Sequence, residues 1–171
     1  MPARARAVVV MGVAGAGKTT AGRLLAAVLG WPFYDGDDFH STENVARMAA
    51  GIPLTDKDRR PWLAALHDLL RDHLTVGESL VLASSALKAS YRQTIRGNLE
   101  TVTFVYLKAD TVTLAARLRS RANHYMPVAL LDSQFAALEE PADALVVDAT
   151  LPPDDIVRTI VAQLERWDTG H

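Results

Sequence analysis

Gly12 to Thr19 reads GVAGAGKT, which fits G-x-x-x-x-G-K-[ST] at every fixed position. That spacing serves to hold a polyphosphate. Its glycines let successive backbone N–H groups curl round phosphate oxygens, and the helix that follows adds the positive end of its dipole. Lys18 would reach the β- and γ-phosphates and Thr19 would give its hydroxyl to Mg2+. Gly12, Val13, Ala14, Gly15, Ala16, Gly17 and Thr20 would complete the cradle for ATP. A second cluster, YDGDDFH from Tyr34 to His40, puts Asp35, Asp37 and Asp38 into four positions. Like charges so close repel, so these acids need a cation or metal to stay ionised. Phosphoryl transfer supplies the reason for them. The acceptor hydroxyl must lie in line with the γ-phosphate, which calls for a carboxylate projecting beside the phosphate loop. Asp37 is the expected hydroxyl-binding base, Asp35 the metal or water partner, and Asp38 a solvated neighbour.

Both clusters sit where an α/β protein would put them. Short apolar runs alternate with longer stretches of helical period, the pattern of a mainly parallel sheet. Candidate strands are Ala7 to Met11, Pro32 to Asp35, Ser79 to Ser84, Thr101 to Leu107 and Ala144 to Asp148. The phosphate loop follows the first and the acidic cluster ends the second. Ala21, Leu24, Leu25, Val28 and Leu29 form one helical stripe, with Gly30 placed to stop it. Trp62, Leu66, Leu69, Leu70 and His73 form another, on which His67 and His73 read as packing residues. The crossovers from Phe39 to Gly77 and from Lys108 to Asp143 are too long for single helices. They are expected to carry a substrate-binding insertion (about 39–77) and a lid (about 117–141). PPDDIVRTIVAQLERW reads as a closing helix.

The 171 residues, 49% of them hydrophobic and 22% charged, fit one domain spanning 1–171. A net charge of -2 gives no footprint for duplex nucleic acid or an anionic membrane. The chain has no cysteine, which removes disulfides, thiol catalysis and Cys-based zinc, and fits a reducing cytoplasm. Arg4, Arg6 and the apolar run after them imitate a secretion signal, but the same residues make a better phosphate loop. A dinucleotide fingerprint fails because Thr20 stands where a third glycine is needed. A GTPase fails for want of Asp-x-x-Gly, and LKAD at Leu107 to Asp110 begins with leucine where the Asn-Lys-x-Asp base reader has asparagine. A motor or large ATPase would end an apolar strand in Asp, whereas the third strand here runs into ASSALK. Small-molecule kinases remain.

GVAGAGKTT, DGDDFH, NVARMAAGIPLTDKDRRPWL, SSALKASYR and NHYMPVALLDSQFAALEEP, in that order from about Val8 to Val157, resemble the successive motifs of the gluconokinase family. This family belongs to the shikimate and adenylate kinase-like P-loop group. The resemblance implies a three-layer P-loop kinase fold with a five-stranded parallel sheet of order 2-3-1-4-5, helices on both faces and a lid. It implies ATP-dependent phosphorylation of the 6-hydroxyl of D-gluconate with Mg2+, and it is compatible with a homodimer that no residue here demonstrates. Gluconate carries a carboxylate at the end opposite the reacting hydroxyl, so its site needs an anion receptor. Arg59, Arg60, Lys88 and Arg92 are the available cations, with Arg60 the one best read as a surface residue, and arginine suits a carboxylate through its fork geometry. His40 and His124 are further candidate contacts to the substrate. By analogy with related nucleotide kinases, Arg117 takes the adenine face, Arg121 clamps the phosphates as a catalytic cation, and Pro152 closes on the base from the other side. Two departures stand out: Asn123 where the family often has glycine, and Ser84 where cysteine is frequent. Another acceptor on the same scaffold, such as shikimate, a nucleotide or another sugar acid, and a nucleotide-binding regulatory protein stay as alternatives.

Overall fold

A computed structural model describes residues 4–120 and 128–170. Its centre is β1 (Ala7–Met11), a run of apolar residues without a polar interruption, each of them fully buried. Such a strand suits a sheet covered on both faces, where alternation disappears. β1 pairs in parallel with β3 (Leu80–Ala83) and β4 (Val102–Lys108). β2 (Phe33–Asp35) extends the sheet beyond β3, and β5 (Leu145–Asp148) extends it beyond β4. The resulting order is β2-β3-β1-β4-β5, all parallel, as the family resemblance implied. Strand ends differ from the sequence expectation by one residue at most positions, the usual scatter of element boundaries.

The pleat of β1 divides the core in two. Val8 and Val10 face a cluster with Leu25, Leu114, Leu131 and Ile160. Ala7, Val9 and Met11 face another with Trp62, Leu66, Leu70, Ile95 and Phe104. The first cluster is covered by α1 (Lys18–Leu29), α5 (Thr111–Ser120), α6 (Val128–Ala137) and α7 (Pro153–Gly170). The second is covered by α3 (Asp56–Thr75) and α4 (Ala89–Arg96). α1 ends where Gly30 adopts the left-handed φ of 72°, as its glycine predicts. One residue of its expected stripe departs: Val28 is 65% exposed, because it lies over the groove between α1 and α7 rather than beneath them.

The long crossover after β2 holds a 3-10 turn (Gly36–Phe39), α2 (Thr42–Ala49) and α3. It is tied down locally. Thr55 and Asp58 form a reciprocal capping box at the start of α3, and Asn44 Nδ2 donates to the Asp58 carbonyl at 2.9 Å. The crossover after β4 is less lid-like than its length suggests. Leu131 on α6 is fully buried, and Phe135 and Leu138 pack against the same core. The part of the 117–141 interval from Leu131 onward therefore belongs to the body of the domain.

Candidate active site

The carboxyl ends of β1, β2 and β3 meet at one side of the sheet, the position where open parallel sheets bind ligands. Here β1 gives way to the phosphate loop. Gly12 can have no side chain, since a Cβ there would lie 2.9 Å from the Leu107 carbonyl oxygen. Gly17 turns the chain into α1 with φ 92°. Val13, Ala14 and Ala16 are buried under the loop, and Thr20 faces out. Lys18 folds back over the loop and donates from Nζ to the Val13 carbonyl at 3.1 Å. Burial lowers its pKa to about 8, opposed by the charges of Asp37 and Asp35.

The acidic cluster is held against this loop by sterics and capping. Gly36 allows the close approach: a Cβ there would be 2.8 Å from the Ala83 carbonyl at the end of β3. Asp35 caps the 3-10 turn by accepting from the Asp37 N–H at 3.0 Å, and its other oxygen accepts from Thr19 Oγ1 at 3.3 Å. Asp37 opens onto the cleft, but the protein around its carboxyl removes enough water to push its pKa up. The neighbouring Asp35 adds to that shift and Lys18 opposes it. Asp38 is exposed, as expected. The hydroxyl of Thr19 and the carboxylate of Asp35 are hard oxygen donors side by side, a fit for Mg2+, which takes few protein ligands and keeps phosphate and water for the rest.

Beyond the acids runs a polar wall. Trp62 Nε1 donates to the Gly36 carbonyl at 2.7 Å, and the His40 ring stacks on Trp62 with centroids 4.2 Å apart. His40 Nδ1 is buried without a hydrogen-bond partner among the described residues. Its pKa is depressed, first by burial and then by the charge of Arg59. Arg59 donates to the Leu54 carbonyl at 2.7 Å and to the Tyr91 hydroxyl at 3.2 Å. Tyr91 in turn donates to Asp56, which also pairs with Lys88 at 3.2 Å.

The four candidate cations thus separate. Arg59 stands in the wall next to His40, Lys88 is neutralised by Asp56, and Arg60 is exposed. Arg92, 8% exposed, spends its guanidinium on the carbonyls of Ala86, Leu87 and Glu139. Lys88 is the residue that precedes α4, whereas Arg92 lies within it.

On the other side of the loop, Arg117, Ala16, Gly17, Thr20, Leu151 and Pro153 line a cleft of about 210 Å3. Arg117 is held there by a bond from Nη2 to the Ala149 carbonyl at 2.6 Å. Leu151 and Pro153 line the cleft, whereas the Pro152 carbonyl accepts from the N–H groups of Asp155 and Ile156 at the start of α7. Arg121, Asn123, His124 and Tyr125 lie outside the described residues. His67 and His73 are structural as read: His67 Nδ1 is 3.0 Å from the Ile95 carbonyl, and His73 Nε2 is 2.9 Å from the Tyr34 hydroxyl. A wider groove between α1 and α7, about 360 Å3, is lined by Leu24, Val28, Val157 and Val161 and contains no residue of the phosphate loop.

Sequence reasoning missed Trp62, Tyr91 and Asp56 as parts of the site, and also Gln134, whose Oε1 accepts from the Ala14 N–H at 2.7 Å. Gln134 did carry a signal, as an uncharged amide in the apolar segment VALLDSQFAA.

A phosphate loop, an acid pair at the next strand end and a polar acceptor wall define a small-molecule P-loop kinase. The model of the shikimate kinase family matches residues 14–165. Within that group, a gluconokinase of Gluconobacter oxydans is 44% identical over 171 residues, covering 98% of this chain and 96% of the relative. A gluconokinase of Arabidopsis thaliana is 41% identical, covering 91% of this chain and 90% of the relative. The solved structure of a gluconokinase from Sinorhizobium meliloti superposes with a TM-score of 0.87 at 40% identity, covering 97% of this chain and 95% of that one. The chain belongs to the gluconokinase family.

Proposed function

We propose that this enzyme transfers the γ-phosphoryl group of ATP to the 6-hydroxyl of D-gluconate, giving 6-phospho-D-gluconate and ADP. The observation that carries the reading is the acidic turn at Asp35 and Asp37, in which Asp37 feels the charge of Lys18 while the Gly36 carbonyl accepts from Trp62 of the polar wall that holds His40 and Arg59. Asp37 takes the proton of the acceptor hydroxyl as the oxygen attacks phosphorus. Its pKa, raised by burial and by Asp35, makes it a stronger base than an ordinary carboxylate. Lys18 and the N–H groups of the loop hold the phosphate charge in place. Thr19 and Asp35 would hold Mg2+, which would supply further neutralisation of the phosphate charge. His40, with its unpartnered Nδ1, is a donor or acceptor for a hydroxyl of the polyol chain. Arg59 receives the carboxylate, while Arg117 and the Leu151–Pro153 side of the cleft take the base. Arg121 and His124 keep the roles that the resemblance implies. Among the described residues no helix is long and apolar enough to cross a membrane. The reading brings with it a cytoplasmic enzyme whose partners are small molecules.

The test is ADP release with Mg-ATP across D-gluconate, shikimate, AMP, D-glucose and no acceptor. Turnover with gluconate alone is expected, because a site that bonds the right hydroxyls rejects analogues lacking them by roughly 10⁴-fold. Turnover with shikimate or AMP and none with gluconate would overturn the reading. Arg59→Ala is expected to raise the gluconate KM about 10- to 100-fold with little change for ATP, the cost of one charge-assisted contact. Lys88→Ala is expected to change it far less, because Asp56 already engages that charge. The reverse order would move the carboxylate receptor to Lys88.

A further inference from the structure

The helix α6 and the residues just after it touch both the phosphate loop and the segment 86–92. Gln134 on α6 gives its Oε1 to the N–H of Ala14, the third residue of the phosphate loop, at 2.7 Å. Just beyond the end of α6, the Glu139 N–H donates to the Leu87 carbonyl and the Glu139 carboxylate accepts from the Ala89 N–H, both at 2.8 Å. The Glu139 carbonyl accepts from Arg92 at 2.8 Å. Leu131 anchors α6 in the apolar cluster on one face of the sheet. Ala14 is 8% exposed, and a buried N–H with no acceptor is costly. The Gln134 carboxamide is what satisfies it. The bond also withholds this N–H from phosphate, whereas neighbouring N–H groups of the loop remain to take it.

We propose that Gln134 is a positioning residue that fixes the phosphate loop, through Ala14, relative to segment 86–92, which carries Tyr91 of the polar wall. It acts on the alignment of the γ-phosphate with the acceptor hydroxyl, and so on transfer rather than on nucleotide binding. This rests on the gluconate kinase reading given above. Gln134→Met keeps the size of the side chain and removes the acceptor; Gln134→Glu keeps an acceptor oxygen.

The experiment joins steady-state kinetics, equilibrium ATP binding and amide hydrogen exchange at Ala14 for the wild type and both variants. Gln134→Met is expected to lower kcat with gluconate about 10- to 100-fold, the scale of a small misplacement of reacting groups. ATP affinity is expected to hold, while exchange at Ala14 accelerates. Gln134→Glu is expected to keep Ala14 protected, which tests the link even where Gln134→Met does not fold. An unchanged kcat in Gln134→Met, an ATP affinity that falls in step with kcat, or loss of Ala14 protection in Gln134→Glu would each overturn the proposal. Failure of the wild type to phosphorylate gluconate would instead strike the function reading and leave the exchange arm intact.

Discussion

Asp37→Asn is expected to lower kcat about 10³-fold, the middle of the range for a positioned general base, with ATP affinity unchanged. Asparagine fills the same volume but cannot take the hydroxyl proton. A second effect runs the other way. In the wild type, burial and the nearby Asp35 raise the pKa of Asp37, so the folded state holds its proton to a higher pH than the unfolded chain does. Between the ordinary carboxylate pKa and that raised value the folded state binds more protons, and stability falls as pH rises. Asp37→Asn removes this loss, so its thermal midpoint at neutral pH is expected to lie above that of the wild type. Kinetics and melting curves on the same sample check both signs. Near-normal turnover would remove Asp37 from the role of base, and a lower midpoint would show that its charge is relieved in the folded state.

Lys18→Met is expected to lower kcat/KM by about 10³-fold or more, since it removes the fixed cation from the transferring phosphate. The empty protein should again become more stable. Burial brings the pKa of Lys18 down to about 8, while in the unfolded chain it stays at 10.5. Between these values the unfolded chain holds the proton that the folded state has lost, so this group makes stability rise with pH over that window. The variant should lack that rise. Melting the two proteins in the absence of nucleotide from pH 7 to pH 10 reads it directly. Equal slopes would mean that Lys18 keeps its charge through the range.

The two assignments that carry these effects were legible because their chemistry is local. A phosphate loop is eight consecutive residues, and Asp35 and Asp37 flank a single glycine at a strand end, so spacing along the chain already fixes their relation in space. The sheet was legible for a similar reason, since fully buried parallel strands print as unbroken apolar runs such as AVVVM. The acceptor wall was only half legible. Arg59, Lys88 and Arg92 look alike as charges, and what separates them is the partner each finds. Asp56 lies 32 residues from Lys88, and the Glu139 carbonyl lies 47 residues from Arg92. Pairings at that range come from tertiary packing and leave no periodicity. The same holds for Gln134 and Ala14, which are 120 residues apart. Pro152 and Pro153 were hard to tell apart for a subtler cause. Pro152 precedes α7 and Pro153 begins it, and which of the two lines the cleft depends on the turn entering the helix, which residue type does not encode.

The division of the core by β1 has a consequence for how such an enzyme can change. Helices α1, α5, α6 and α7 share one apolar cluster and α3 and α4 share the other, with the sheet between them. Packing changes made on one side, away from Leu138, which packs against both clusters, should therefore add in stability to changes made on the other. Acceptor choice can then drift by repacking α3 and α4 while the phosphate machinery stays as it is. In such drift the contacts from α6 to the phosphate loop and to segment 86–92 would have to be preserved, because they are where the two compartments are stitched together.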